Sequence, residues 1–512
     1  MFLVGLTALL TALVVQSGEL GSIDTARRLQ TTHSFWTSAP PVAAGDFGLL
    51  VGRGGRLYSW YGIGQSLVML PADIVATLAL KFIARFRELP ESLREVFVSY
   101  TTSTLVCILA IWVCFRFLTL LAFTVEQAIL GAFTLLFGTT FLHYTQNMME
   151  NNLILLLTLT GFCFQYNWFR NGSARSLLWG SIAFGANLLT RITTGLDLLA
   201  GALFIVLCLW YDNIRGRAMI HRLIQYGRVC LPCYAVFLLI ERLYYYYRFG
   251  AFYSLYPQIM AAQKRQLNPS LPPDFPWNNP FWKGFLGPLI TAEKSIFLFD
   301  PLILLTLVLI FFVWKYFASE IKAYVISLVW LLFACIALYA KWFDWSGDYA
   351  WGDRFVTAPV QLLAMISTPL MLRHRSKLKG AVRRLGTAIA LISVIIQIAS
   401  VVFWHPLEIH QMQTLGHPRF VVGLRFLNII ALATGMRDKW SLNNRYTLGH
   451  IQSTTPYFWP FLLLRTGTVS LWKVSVLIAG WVCLLGTLIG LLFVIAGKIR
   501  AGVFGITPEN IP

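Results

Sequence analysis

Apolar residues arrive along this chain in long runs, not in the alternating or one-sided patterns that a soluble core leaves. The runs fall near 2 to 16, 97 to 115, 127 to 142, 152 to 168, 177 to 190, 192 to 211, 229 to 243, 298 to 314, 323 to 340, 355 to 372, 385 to 404 and 474 to 496. A helix needs about 20 mostly apolar residues to cross the hydrocarbon core of a bilayer. The pattern therefore predicts an all-α, polytopic integral membrane protein of about twelve spans. The opening run, MFLVGLTALLTALVVQ, lacks a charged leading segment and a small-residue cleavage site, so it reads as the first span.

Two stretches complicate the count. GQSLVMLPADIVATLALKFIARF, residues 64 to 86, is long enough to cross, but counting it reverses the sidedness of everything after it. With Pro71, Asp73 and Lys81 it is expected to lie along the outer surface as an interfacial helix. The stretch from 177 to 211 is interrupted by Arg191 and Asp197, and the same parity requires two spans there.

Charge fixes the orientation. LRHRSKLKGAVRR, 372 to 384, carries six Lys and Arg and no acid, and DNIRGRAMIHRLIQYGR, 212 to 228, carries four against one Asp. Basic loops stay on the cytoplasmic side. The outer side then receives residues 17 to 96, 143 to 151, 244 to 297, the stretch around 342 to 355, and 405 to 472. The overall net charge of +19, from 41 basic and 22 acidic residues, is spread in short runs between apolar spans. That distribution argues for topology and against nucleic acid.

Composition agrees, with 57% hydrophobic and 12% charged residues and a mean hydropathy of +0.66. The eight cysteines lie in or beside apolar segments, and the CLPC at 230 to 233 opens a span without a βαβ pattern, so a structural role is expected. No repeat, low-complexity segment or linker marks a second domain. The whole chain, 1 to 512, reads as one membrane domain with a core of about 1 to 375.

Three outer stretches concentrate the chemistry. SGELGSIDTARRLQTTHSFW places Glu19 and Asp24 directly after the first span; the plainer reading pairs Asp24 with Arg27 or Arg28, one turn away. YTQNMMENNLILLL sets Glu150 at the mouth of a helix, where Asn151 or Asn152 is a candidate cap. WFDWSGDYAWGDRF, 342 to 355, gathers three Trp, three Asp and a single Arg354. Its plainer reading is an aromatic interface belt with solvated acids.

GSIDTARRL, GRGGRLYSWYGIGQSLVMLP, YTQNMMENNLILLLTL, GFLGPLITAEKSIFLFDPLILL and WSGDYAWGDRFVTAPVQLLA, in that order, resemble the GT-C class of multi-span glycosyltransferases. These enzymes use polyprenyl-phosphate-linked sugars, and protein O-mannosyltransferases and lipid A aminoarabinose transferases are among them. The resemblance implies that Asp24 is the catalytic carboxylate and Glu150 the second acid. It puts Lys294 in ITAEKSIFLFDP at a basic position, although Glu293 departs from the small residue usual there, and it puts Arg354 of WGDRF at the cation.

The residue types suit that chemistry. A carboxylate, Asp24 or else Glu150, takes the proton of an attacking hydroxyl. A guanidinium holds the leaving phosphate through two oxygens at once, which favours Arg354 over Lys294. Arg191, Arg53 and Arg56 are further candidates for the phosphate, with Asp353, Trp351 and Tyr61 in the substrate site beside them. Trp60, Tyr61, Trp345, Tyr349 and Trp351 can stack on sugar or anchor at the headgroups, and anchoring is the plainer role.

No cofactor is predicted. His405, Glu408, His410 and His417 lack the helical spacing of a zinc pair and read as a wetted loop. The acids around Arg354 can hold a divalent cation, but the arginine competes for them. The expected partners are a polyprenyl-phosphate sugar, an acceptor that is lipid, glycan or protein, and membrane lipids, with the site on the outer face of a bacterial inner membrane. A secondary transporter and a non-enzymatic envelope assembly protein are the alternatives, and Arg191 and Asp197 are the features that favour a transporter.

Overall fold

The computed structural model describes residues 1–42, 47–84, 92–404, 406–435, 455–467 and 469–502, with the side chains of Thr414 and Thr466 left out. In chain order the first half forms α1 (Phe2–Val15), α2 (Ile23–Ser34), α3 (Gly64–Ala84), α4 (Ser92–Leu120), α5 (Val125–Gly138), α6 (Phe141–Gln146), α7 (Asn151–Asn171), α8 (Ala174–Thr190), α9 (Gly195–Tyr211) and α10 (Gly216–Phe249). Three short helices follow in the next connection, α11 (Tyr256–Leu267), α12 (Phe281–Ile290) and α13 (Ile296–Phe299). Then come α14 (Leu302–Val313), α15 (Ser319–Tyr339), α16 (Thr357–Met365), α17 (Ser367–Arg373) and α18 (Gly380–Ser400). The last helices are α19 (Leu407–Leu415), α20 (Val421–Thr434), α21 (Trp459–Thr466) and α22 (Leu471–Arg500). Among the described residues the only strands are β1 (Leu49–Val51) and β2 (Leu57–Ser59), an antiparallel hairpin with Leu50 opposite Tyr58.

This is an all-α, polytopic integral membrane protein. Among the described residues, seven helices are long and apolar enough to cross a bilayer: α3, α4, α9, α10, α15, α18 and α22. In hydrocarbon only helices and closed barrels satisfy their own backbone groups, so the apolar runs become helices. The run broken at Arg191 separates as expected: α8 stops at Thr190, a single tight turn covers Ile192–Thr194, and α9 follows. Another run is divided at Ile366 into α16 and α17.

α4 runs through the middle of the bundle and packs on α1, α3, α5 and α7. Its Cys107, Ala110, Ile111, Cys114 and Phe117 are buried against α1, α5 and α7 in the main core. Tyr324 of α15 centres an aromatic group with Phe117, Phe162 and Phe204 at 5.3, 5.8 and 6.0 Å, and its hydroxyl donates to the Leu362 carbonyl at 3.0 Å. The buried hydroxyl is therefore satisfied, as a low-dielectric core requires.

Two expectations are corrected. Asp73 does not meet an interface: it is fully buried, accepts from Trp36 Nε1 at 2.9 Å, lies 2.9 Å from His33 Nδ1 and pairs with Arg94 at 3.3 Å. α3 turns this acid inward, onto α2 and α4. The stretch around Glu408 is not a wetted loop either. It forms α19, where Glu408 and Arg425 of α20 make a doubly hydrogen-bonded, fully buried pair with both contacts at 2.6 Å. Arg425 also donates to the Ser400 carbonyl at 2.8 Å, at the C-terminal end of α18 where a cation is favoured. His405 lies outside the described residues.

Candidate functional site

The site begins with α2. Ser22 caps it by accepting the Thr25 N–H at 3.3 Å, which leaves Asp24 in the first turn, where the helix dipole favours a carboxylate. Gly21 has φ +75 and sits so close to residue 147 that a Cβ on it would lie 2.9 Å from Asn147 Cα. Only glycine allows that approach. The Thr25 hydroxyl then donates to the Met148 carbonyl at 2.7 Å, docking α2 beside Glu150.

Asp24 is buried, at 5% exposure, and both of its oxygens are used. The Tyr61 hydroxyl donates to Oδ1, and Arg354 Nη1 donates to Oδ2 at 2.7 Å. The local pairing expected with Arg27 or Arg28 does not form. Arg27 bonds Gln30 and the Phe47 carbonyl, and Arg28 reaches Glu150. Spacing on one helix could not show this, because the partner of Asp24 stands 330 residues later.

Glu150 sits between two arginines, Arg28 and Arg191, and is itself buried. It occupies the N-cap position of α7 without a side-chain cap bond. Neither asparagine serves as that cap. Asn151 donates to the Arg354 carbonyl and to Thr357 Oγ1, both at 2.7 Å, and Asn152 donates to the Phe141 carbonyl at 3.0 Å. Asn151 thus fastens the backbone of Arg354 to the helix that presents Glu150.

Arg191 and Arg354 share one aromatic neighbour: both guanidiniums lie near the Phe355 ring, at 5.4 and 5.5 Å from its centre. That ring stacks on Tyr339 at 3.9 Å and is held by it. Arg28 lies 4.2 Å over the ring of Tyr61, the residue bonded to Asp24. Three guanidiniums and two carboxylates therefore interlock, leaving one surplus positive charge.

The segment carrying Arg354 is shaped by Lys294. Its ammonium donates to the carbonyls of Asp348, Ala350 and Gly352 at 2.7, 2.7 and 3.1 Å. All three hydrogens are engaged with backbone, so this lysine, expected to face phosphate, clamps the loop instead. Within the loop Asp344 accepts the Asp348 N–H at 3.1 Å and Asp353 accepts the Phe355 N–H at 2.9 Å. Trp351 is neither an anchor nor an open sugar platform: at 1% exposure it is stacked on His143 at 5.6 Å, edge-on to Phe299 at 5.0 Å. Of the three acids only Asp353 is withdrawn from solvent, at 5% exposure, contrary to the plainer expectation, while Asp344 and Asp348 are partly exposed.

Burial works against the ionised form of Asp24, but the Arg354 and Arg28 charges and the Tyr61 bond outweigh it and lower its pKa below 3.8. In Arg28 burial wins and brings the guanidinium down to about 10. Burial pushes Asp353 up to about 7 and Asp348 to about 6, and brings Lys294 down to about 8. Arg354 is raised: burial alone would lower it, but Asp24, Tyr61 and Asp344 keep it charged.

Arg53 and Arg56 stay apart from this cluster, exposed on the β1–β2 turn, with Arg53 5.1 Å over the Tyr246 ring. Trp60 packs against Phe47 and Tyr256 beside Tyr61. Glu293 makes an exposed pair with Arg419 at 3.2 Å. Asp197 bonds Thr158 at 2.7 Å and Asn187 at 3.0 Å. A cavity of about 30 Å³ opens between it and the pair Arg191 and Arg354, with Asn151, Thr193 and Tyr339 in its wall.

The sequence reading missed Arg28 as Glu150's partner, Tyr61 as a donor to Asp24, and Lys294 as a clamp. The i, i+4 spacing of Asp24 and Arg28 in IDTARR sets both on one helix face but carries no sign of Glu150, Tyr61 or the Lys294 carbonyls, which lie far away in sequence. No group of three or more His, Cys, Asp and Glu suited to a metal occurs among the described residues.

No protein-family model and no curated protein matches this chain. Among solved structures it is similar to ArnT from Cupriavidus metallidurans bound to undecaprenyl phosphate. The identity is 11% over 86% of this chain and 71% of that one, with a TM-score of 0.40.

Proposed function

We propose that this protein transfers a sugar from a polyprenyl-phosphate donor to an acceptor hydroxyl at the outer face of the membrane, inverting the anomeric carbon. The observation that carries the reading is the buried Asp24 carboxylate, ionised at neutral pH and bonded to Arg354, with Arg28, Arg191 and Glu150 around it. The ordered resemblance of the sequence blocks to GT-C glycosyltransferases supports it.

The donor phosphate brings negative charge to a cluster with one cation in excess. It competes with Asp24 for Arg354 and draws on Arg191 across the shared Phe355 ring. A guanidinium offers a planar pair of donors, which suits two phosphate oxygens. Loosening the Asp24–Arg354 bond leaves Asp24 Oδ2 open to the acceptor. The acceptor oxygen attacks the anomeric carbon, the carbon–phosphate oxygen bond breaks with its electron pair going to the phosphate, and the hydroxyl proton passes to Asp24. Charge growing on the departing phosphate is met by fixed cations, which cost no reorganisation at the moment of reaction. A carboxylate of lowered pKa is a weak base, so the proton moves late, as the new bond acidifies the hydroxyl.

The test is transfer of radiolabelled sugar from a panel of polyprenyl-phosphate sugars into lipid, glycan and protein fractions, comparing the native protein with Asp24→Asn at matched expression. Label should appear with one donor and fall about a hundredfold or more in the variant. An unchanged rate in the variant removes Asp24 from the reaction, and the absence of transfer from every donor overturns the reading.

A further inference from the structure

We propose that the opposite end of the bundle carries a binding groove for an anionic phospholipid, with Arg375, Arg383 and Arg384 on its phosphate. The placement follows from the helices. α16 begins three residues after Arg354, and α16 and α17 together run from 357 to 373, about 25 Å at 1.5 Å per residue. That length approaches the ~30 Å hydrocarbon core, so the link into α18 emerges across the membrane from the Asp24 cluster.

There the chain forms a groove of about 810 Å³ whose polar wall is Arg375, Arg383, Arg384 and Thr387, and whose apolar wall includes Met371 and Leu391. The three arginines are exposed, and none joins an ion pair among the described residues. Nothing nearby in sequence can neutralise them, because no Asp or Glu occurs between Asp353 and Glu408. Surplus charge of this kind contrasts with the Asp24 cluster, where every arginine has a carboxylate.

The direction of α18 argues for a lipid over a free phosphate. Arg384, Leu391, Ile395 and Ile398 follow one another along one side of the helix at near-helical spacing, and the last three are 60%, 53% and 53% exposed. A cation at the helix start leads into an open apolar track, the shape of a headgroup above an acyl chain. Lys377 lies 5.4 Å over the Tyr316 ring at the same end, an aromatic and basic pairing found at headgroup depth.

The experiment uses the purified full-length protein in detergent, with phosphatidylglycerol and phosphatidylcholine of identical acyl chains added, and counts retained lipids by native mass spectrometry. Phosphatidylglycerol should be retained preferentially. The double variant Arg383→Gln, Arg384→Gln should lose roughly 30-fold in its retention, at about fivefold per arginine. Leu391→Glu, which puts a carboxylate on the track and leaves the arginines in place, should lower retention of phosphatidylglycerol as well. Equal retention of the two lipids by the native protein, or an unchanged preference in the double variant, overturns the proposal. Displacement of the lipid by millimolar inorganic phosphate also overturns it, because the site would then read charge alone.

Discussion

Arg354 Nη1 donates to Asp24 Oδ2 at 2.7 Å, joining the first turn of α2 to the loop before α16. Both side chains are largely buried, 16% and 7% exposed. Removing one partner of a buried pair leaves the other charge uncompensated, at a typical cost of about 3 to 5 kcal/mol. Arg354→Gln should therefore lower the melting temperature markedly, and Asp24→Asn with Arg354→Gln should cost less than the two singles added. Additive melting shifts would mean that the two residues do not act on each other.

Glu150 carries a heavier duty, because it compensates two arginines at once. Glu150→Gln should destabilise the protein by at least about 3 kcal/mol, more than the substitution of either arginine's other neighbours. Thermal unfolding followed in detergent checks this; a loss below about 1 kcal/mol would show the cluster to be wetted.

Lys294 holds three carbonyls of the Arg354 loop and no carboxylate oxygen. Lys294→Met should leave those carbonyls without their donor and open residues 344 to 353 to protease, while global helicity by circular dichroism stays the same. Arginine should not rescue, since a planar fork cannot meet three carbonyls arranged around a point charge. Loop cleavage at the native rate in Lys294→Met would contradict the clamp.

Burial raises the folded pKa of Asp353 from 3.8 to about 7, with the Phe355 N–H and Lys294 pulling the other way. Between those values the folded protein holds more protons than the unfolded chain. The contribution of Asp353 to stability is thus full below about pH 4 and is lost as pH rises through about 7. Asp353→Asn should flatten that fall in melting temperature between pH 5 and 8. A native profile retained by the variant would assign the titration elsewhere.

The membrane helices were legible because burial in lipid leaves a one-dimensional mark, the apolar run, that needs no knowledge of neighbours. The break at Arg191 was legible for the same reason. What could not be read were pairings set by three-dimensional assembly: Arg354 with Asp24, Glu408 with Arg425, Asp73 with His33 and Trp36. Local spacing favoured Arg27 or Arg28 for Asp24, and tertiary packing overrode it. Lys294 and Trp351 show the same limit. Their residue types fit a ligand as well as they fit a loop clamp or a core stack, and only the surroundings decide.

The distance in sequence between Asp24 and Arg354 also sets an order of events during synthesis. Translation runs at about 5 to 20 residues per second, so the 330 intervening residues take roughly 16 to 66 s to appear. Through that interval Asp24 and the hydroxyl of Tyr61 are already made while their cation is not. A chain arrested before α16 would therefore hold two guanidiniums and two carboxylates, with Asp24 still lacking the cation that it bonds in the finished fold.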